Sequence, residues 1–251
     1  MSPRLLMLLL LSLLAACAPA LPEPTPTLSP APETTPSATT DWFPATSTPT
    51  ILPTTIPTPT ADMQPGLGEV ILEDNFTSPS GWPSTETNRT RVAVENGRLN
   101  LFTDVPGALV LAPRNAPSVS DFYAQVSASP NLCEGEDEYG LMLRINSAGD
   151  HYRFALSCDG RARVERVLNG AVSVPVDWQV FPNVPSVAPS NVTLSVWASG
   201  SELRFFVDDA LLFSTNDTVI YVGRVGAFIR ARGEGPLTVS FSDLSIYEVV
   251  E

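Results

Sequence analysis

From residue 69 onward the apolar positions come in short bursts that alternate with polar ones, and no stretch shows the three-to-four spacing of an amphipathic helix. The bursts include RVAV, GRLNLFT, GALVLA, DFYAQVSAS, EYGLMLRIN, HYRFALSC, RARVERV, AVSVPV, NVTLSVWAS, ELRFFV, ALLFS, RVGAFIRA and LTVSFSDLSIYEV. Between them sit Glu95-Asn96-Gly97, Asp159-Gly160, Asn169-Gly170 and Asp208-Asp209, residue types that tolerate the positive φ of tight hairpins. Short strands joined by such turns form antiparallel sheets, so the pattern predicts an all-β chain folded as an antiparallel β-sandwich.

Because successive side chains point to opposite faces, a turn fixes which residues share a side. If the chain turns at Ser199–Glu202, Ala198 faces Leu203, Val196 faces Phe205 and Leu194 faces Val207, an apolar core face. The other side then pairs Trp197 with Arg204, Ser195 with Phe206 and Thr193 with Asp208. The same count over Tyr139–Asn146 and His151–Cys158 places Leu141, Leu143, Ile145, Tyr152, Phe154 and Leu156 together, and Arg144 with Arg153 opposite. A two-residue turn at Asp159-Gly160 would drive Arg163 and Glu165 into the core. A bulge is therefore expected there, returning both to the polar side and making an arginine-rich sheet face.

Before residue 69 the pattern changes twice. Leu5 to Ala16 is apolar apart from Ser12 and follows a single charge, Arg4. That stretch is shorter than the roughly 20 residues a spanning helix needs. It describes a secretory signal peptide over residues 1–16, hence an exported chain. Two processing sites compete. Leu14-Ala15-Ala16-Cys17 resembles a bacterial lipobox, which implies that the Cys17 thiol is lipidated and becomes the mature N-terminus. Ala18-Pro19-Ala20 is an A-x-A site that would release a soluble protein, with Pro19 an awkward feature for a protease. The lipobox reading is preferred, and it implies anchoring to the outer face of the bacterial cell membrane. Residues 17–68 then form a stalk of mostly Pro, Thr, Ser and Ala, interrupted by Asp41-Trp42-Phe43. Such a tract buries too little apolar surface to order itself and is expected to be a disordered, polyproline-rich spacer reaching on the order of 100 Å.

The remaining residues 69–251 suit one domain with a sizeable core. All 14 basic residues are arginine, set against 27 acidic ones, for a formal net charge of −13. That balance argues against nucleic acid as a partner and against electrostatic adhesion to anionic lipid, leaving the membrane contact to the lipid anchor. Cys133 and Cys158 are expected to pair as a disulfide in an oxidising compartment, two separate buried thiols being the alternative. The sequons at Asn75, Asn88, Asn191 and Asn216 are discounted in a bacterial, Thr-rich chain.

The segments EDNFTSPSGW, EYGLMLR, HYRFALSCDGRARVERVLNG, LSVWASGSELRFFVDDALLF, VGAFIRA and VSFSDLSIYE together resemble the concanavalin A-like lectin/glucanase superfamily. The likeness is nearest to its laminin-G-like and 3-keto-disaccharide-hydrolase-like jelly rolls. It covers nearly all of residues 69–251 and rests on strands and turns, without a catalytic signature. It implies two curved antiparallel sheets, the concave one often binding glycans, although a fold does not fix a function.

Candidate chemistry follows from residue type. Sugar binding needs aromatic rings for C–H faces and planar donors or acceptors for hydroxyls, which points to Arg144, Arg153, Glu165, Trp197 and Arg204. The plainer reading makes Trp197 a core residue or a cation–π partner, and Arg144 and Arg153 solvent-side decoration. Trp82 and Trp178, in Pro-flanked segments, are expected to cover the ends of the sandwich. The acidic group Glu134, Glu136 and Asp137 is read as a solvated loop, with calcium the one cofactor it could hold. The alternation of Glu134, Glu136 and Glu138 also defines a rival reading, a sugar-acting hydrolase working through Glu134, Glu136 or Asp137. The lone His151 is an ordinary strand-end residue, and a structural envelope protein without a small ligand is a third reading. The leading expectation is a lipid-anchored surface module that binds a glycan or an envelope partner without catalysis. Cys17→Ala should move the protein from the membrane pellet to the soluble or precursor fraction on cell fractionation; unchanged pelleting contradicts the anchor.

Overall fold

The computed structural model describes residues 62–250. The signal peptide, Cys17 and residues 18–61 of the stalk lie outside the described residues. Within them are fifteen strands and no helix. The first five are β1 (Leu67–Asp74), β2 (Thr85–Glu86), β3 (Thr90–Glu95), β4 (Arg98–Thr103) and β5 (Leu109–Pro113). There follow β6 (Phe122–Leu132), β7 (Glu138–Ile145), β8 (His151–Ser157), β9 (Arg161–Leu168) and β10 (Ala171–Val180). The last are β11 (Val192–Ser199), β12 (Glu202–Val207), β13 (Ala210–Asn216), β14 (Arg224–Arg230) and β15 (Leu237–Val249).

They form two antiparallel sheets packed as a sandwich. The nine-stranded sheet runs β13-β12-β11-β6-β15-β4-β3-β2, with β1 also paired to β15, and the six-stranded sheet runs β10-β9-β8-β7-β14-β5. Between them lies the core, where alternate residues such as Leu99, Val126, Leu194 and Phe241 meet Leu141, Phe154, Val164 and Ile229. Phe154 of the six-stranded sheet stacks at 5.1 Å on Phe205 of the other, and both touch Phe213. Aromatic pairs of this kind contribute about 0.5–1.5 kcal/mol beyond area burial.

The β11–β12 hairpin has the register that alternation predicts, with Leu194↔Val207, Val196↔Phe205, Ala198↔Leu203 and, on the other side, Trp197↔Arg204. The β7–β8 hairpin agrees only in part. Leu141↔Phe154 and Leu143↔Tyr152 hold. At Arg144 the backbone enters the left-handed region at φ 50°, and the β7–β14 register slips at the same place. A bulge adds one residue to the alternation and reverses every face beyond it. Ile145 therefore joins Met142, Ala155 and Phe228 on the outer side, and Arg144 does not share a face with Arg153. Arg144 is completely buried, donating to the Ile220 and Ser120 carbonyls at 3.0 and 2.9 Å.

Between β8 and β9 the chain spends three residues, Cys158 to Gly160, with Gly160 at φ 88°. A three-residue loop with a left-handed glycine supplies the extra residue expected there. Arg163 and Glu165 consequently pair with Ala155 and Arg153 on the outer side, while Ala162 and Val164 face the core. Cys158 in that loop is bridged to Cys133 beyond the end of β6, so the disulfide joins a segment of each sheet. Replacing both cysteines with serine removes a cross-link spanning 25 residues and is expected to lower stability by about 3 kcal/mol. The measurement is the urea midpoint of the double variant against the native protein.

Candidate functional site

Five of the chain's fourteen basic residues converge on the outer face of the six-stranded sheet, in a protein whose net charge is −13. The floor of this region is made of small or flat groups. Gly140 and Ala155 form a cross-strand pair, and Phe228 lies opposite Gly140 on the next strand. A Cβ at Gly140 would stand 1.9 Å from the Phe154 carbonyl oxygen, so only glycine fits there. Long polar side chains from the surrounding positions close over that floor.

Two carboxylates, Glu138 of β7 and Glu165 of β9, hold four guanidinium groups. Arg153 meets Glu165 at 2.6 Å, and Arg163 contacts Glu165 as well as Glu138 at 3.1 Å. Arg230, at the end of β14, bridges Glu138 and Glu165 at 3.2 Å each, and Arg232 just beyond it reaches Glu138 at 2.7 Å. Sheet registry explains the convergence, because Arg153 is the direct cross-strand partner of Glu165 and Arg230 that of Glu138. Both carboxylates and Arg153 are at most 2 % exposed. Removing such charges from water costs several kcal/mol per ion, which only multiple charge-assisted contacts offset.

At the edge of this layer Trp178 of β10 packs against the outer-face cluster of Met142, Ile145, Ala155 and Phe228. Its ring is 4.4 Å from the Arg163 guanidinium and 5.1 Å from that of Arg161, distances suited to cation–π attraction. Arg161 at the rim is paired with Asp159 at 2.6 Å and Glu136 at 3.0 Å. Burial pushes the Glu165 carboxyl up, but the charges of Arg153, Arg230 and Arg163 outweigh it and hold the group below the usual glutamate range.

The residues singled out from the sequence fall in three places. Arg153 and Glu165 meet in this cluster, whereas Arg144 clamps loop carbonyls at the end of the sheet. Trp197 and Arg204 stack at 4.4 Å on the outer face of the other sheet, and the chain itself uses their donors. Trp197 Nε1 donates to the Pro65 carbonyl at 2.9 Å and Arg204 Nη1 to the Met63 carbonyl at 2.8 Å. Residues 62–66, counted with the stalk on composition, thus lie across Trp197, Tyr123, Phe206 and Tyr247. In the acidic loop Glu134 and Glu136 are exposed, while Asp137 is buried and accepts from the backbone N–H groups of Glu134, Arg232 and Gly233. Among the described residues no group of three or more His, Cys, Asp or Glu side chains is placed to hold a metal ion. His151 is buried at its strand end, Nδ1 lies 2.7 Å from the Gly149 carbonyl, and burial lowers its pKa.

Arg163, Arg230, Arg232 and Trp178 were not among those candidates, and Glu138 entered only as one of the alternating carboxylates of the acidic group. The alternation Arg161-x-Arg163-x-Glu165 and the pair Arg230-x-Arg232 carried the signal, since residues two apart on a strand share a face. Trp82 closes one end of the core as expected, stacked at 5.3 Å on Phe76. Trp178 does not: it lies on the outer face of the sheet.

No family model and no curated protein matches the chain. Solved structures do match. The carbohydrate-binding module CBM66 from Bacillus subtilis aligns with TM-score 0.53 and 19 % identity over 67 % of this chain and 96 % of its own. A Bacillus subtilis protein of unknown function with a galectin-like fold gives TM-score 0.58 at 10 % identity, over 74 % and 98 %. The catalytic domain of an endo-1,3-β-glucanase (laminarinase) from Thermotoga petrophila gives 0.53 at 10 %, over 73 % and 98 %. These likenesses show the fold alone, a jelly-roll β-sandwich.

Glu165→Gln would leave Arg153, Arg163 and Arg230 facing a neutral amide, and is expected to cost about 3–5 kcal/mol at neutral pH. The native carboxyl titrates below its unfolded value. Its contribution is therefore complete above the ordinary glutamate pKa of about 4.3 and is lost as pH falls through the depressed native value. Denaturation of protein and variant across pH should show curves that converge in acid; a gap that persists undiminished into strong acid contradicts the assignment.

Proposed function

We propose that the outer face of the six-stranded sheet binds carbohydrate, without hydrolysing it, on a module that Cys17 anchors to the outside of a bacterial membrane. The observation that carries this reading is the half-buried Trp178 ring held over two guanidinium groups beside a charged platform. An indole supported in this way offers a flat apolar surface to the C–H face of a sugar. The neighbouring guanidinium N–H groups lie in fixed planes suited to hydroxyl or other oxygen acceptors. The floor of short side chains and the lattice of ion pairs fix the platform before a ligand arrives, which reduces the ordering cost of binding. Kinship of fold with a carbohydrate-binding module and a laminarinase supports the same reading without deciding between binding and cleavage.

The charge state of the site favours binding. Hydrolysis of a glycosidic bond needs one carboxylic acid that keeps its proton until it reaches the leaving oxygen. Glu165 is surrounded by arginines that hold it ionised, the reverse of the environment a general acid requires. Glu136 is exposed and tied to Arg161, and Asp137 spends both oxygens on backbone N–H groups. Neither suits a paired-acid mechanism.

The test is a glycan array probed with the full chain in detergent, with and without calcium. At least one glycan should bind. Trp178→Ala should weaken that binding tenfold or more, a loss of about 1.4 kcal/mol, while the thermal midpoint moves by only a few degrees. An empty array, or binding indifferent to Trp178, overturns the assignment.

A further inference from the structure

The ion-pair cluster also bears on the chemistry of the ligand. Each of the four carboxylate oxygens of Glu138 and Glu165 already accepts from guanidinium groups. Oε1 of Glu138 alone is shared by Arg163, Arg230 and Arg232. A ligand approaching the inner cluster finds neither Glu138 nor Glu165 free to receive its hydroxyl hydrogens. It finds donors instead. Arg232 engages Glu138 through Nε and Nη2, its side chain is 41 % exposed, and its Nη1 makes no hydrogen bond among the described residues.

Charge points the same way. The inner cluster holds Arg153, Arg163, Arg230 and Arg232 against Glu138 and Glu165, two positive charges more than it neutralises. With Arg161, Asp159, Glu136 and Asp137 included the region holds five arginines and five carboxylates, so the surplus is confined to the inner cluster and its Arg232 edge. The Arg232 edge therefore offers donors and positive charge at the surface, where an anionic group can meet them, within a region that is neutral overall.

Resting on the reading that this face binds glycan, we infer that the glycan is acidic, carrying carboxylate or sulfate groups. One such group is received by the exposed edge of Arg232 and its neighbour Arg230, while an adjoining sugar ring lies on Trp178. A guanidinium edge matches a carboxylate or sulfate with two parallel N–H···O bonds, a geometry that a neutral hydroxyl cannot reproduce.

The experiment compares polymers that share a backbone and differ in charge: polygalacturonate against its fully methyl-esterified form, and dextran sulfate against dextran. Calorimetric titration with the full chain in detergent should give at least tenfold tighter binding to the charged member of one pair or both. Which pair responds distinguishes uronate from sulfate. Arg232→Gln should cut that preference to about threefold or less, and the thermal midpoint of the variant, measured alongside, separates lost charge recognition from lost folding. Equal or tighter binding of the neutral members overturns the acidic-ligand inference while leaving the glycan reading in place. A charge preference untouched by Arg232→Gln overturns it too, because the anion then binds elsewhere. Absence of binding to all four polymers, together with an empty glycan array, removes the underlying reading instead.

Discussion

Two buried carboxylates dictate much of this domain's architecture. Glu138 and Glu165 lie on strands separated by β8, almost without solvent, and each would be intolerable there without several cationic neighbours. Those neighbours come from four separate segments, β8, β9, β14 and the turn that follows it. Every one of these must therefore hold its register to within a single residue. A slip anywhere would exchange a guanidinium for a core side chain and leave a carboxylate unpaired. Such networks are weak evidence of net stability, since well-packed apolar residues often do as well, but they penalise wrong registers severely. The left-handed glycine in the Cys158–Gly160 loop and the disulfide beside it fix the point where that register is set.

This dependence explains what could be read from the chain alone. The β11–β12 hairpin was legible to the residue, because its turn was recognisable and nothing interrupts its alternation. In β7 the same reasoning held as far as Leu143 and then failed. Arginine is an unusual occupant of the left-handed region, and no local feature announces a bulge at Arg144. The return of Arg163 and Glu165 to the outer face was legible because the alternative would have buried them in the core. Their partners were not, because β14 follows the other contributing strands by more than fifty residues and its place beside β7 is a matter of long-range topology. Arg230 and Arg232 share a face by spacing, but nothing in their neighbourhood names Glu138 as their counterpart. Trp178 was missed for a related reason. The prolines at 175 and 182 on either side of it suggested a segment covering the end of the sandwich, whereas β10 is an edge strand, which tolerates proline, and runs on through Trp178.

The two outer faces of the sandwich have different fates. On the nine-stranded sheet Trp197 and Arg204 have the aromatic and guanidinium composition of a binding patch, yet the segment from Met63 to Gly66 already occupies their donors. Gly66 itself lies in the left-handed region, with the Val250 N–H donating to its carbonyl, and a Cβ there would stand 2.0 Å from the Val250 oxygen. On the six-stranded sheet the comparable pairing of Trp178 with Arg163 faces outward. Composition alone could not separate them; only the path of the preceding residues does.

That path has a mechanical corollary. Force entering at residue 62 is delivered to the sandwich through the carbonyls of Met63 and Pro65 and then through β1 into β15, all on the nine-stranded sheet. The arginine platform belongs to the opposite sheet, so a load applied at that platform and tension along the polypeptide pull on separate layers. What resists their separation is the interdigitated aromatic interior, together with one covalent sulfur bridge.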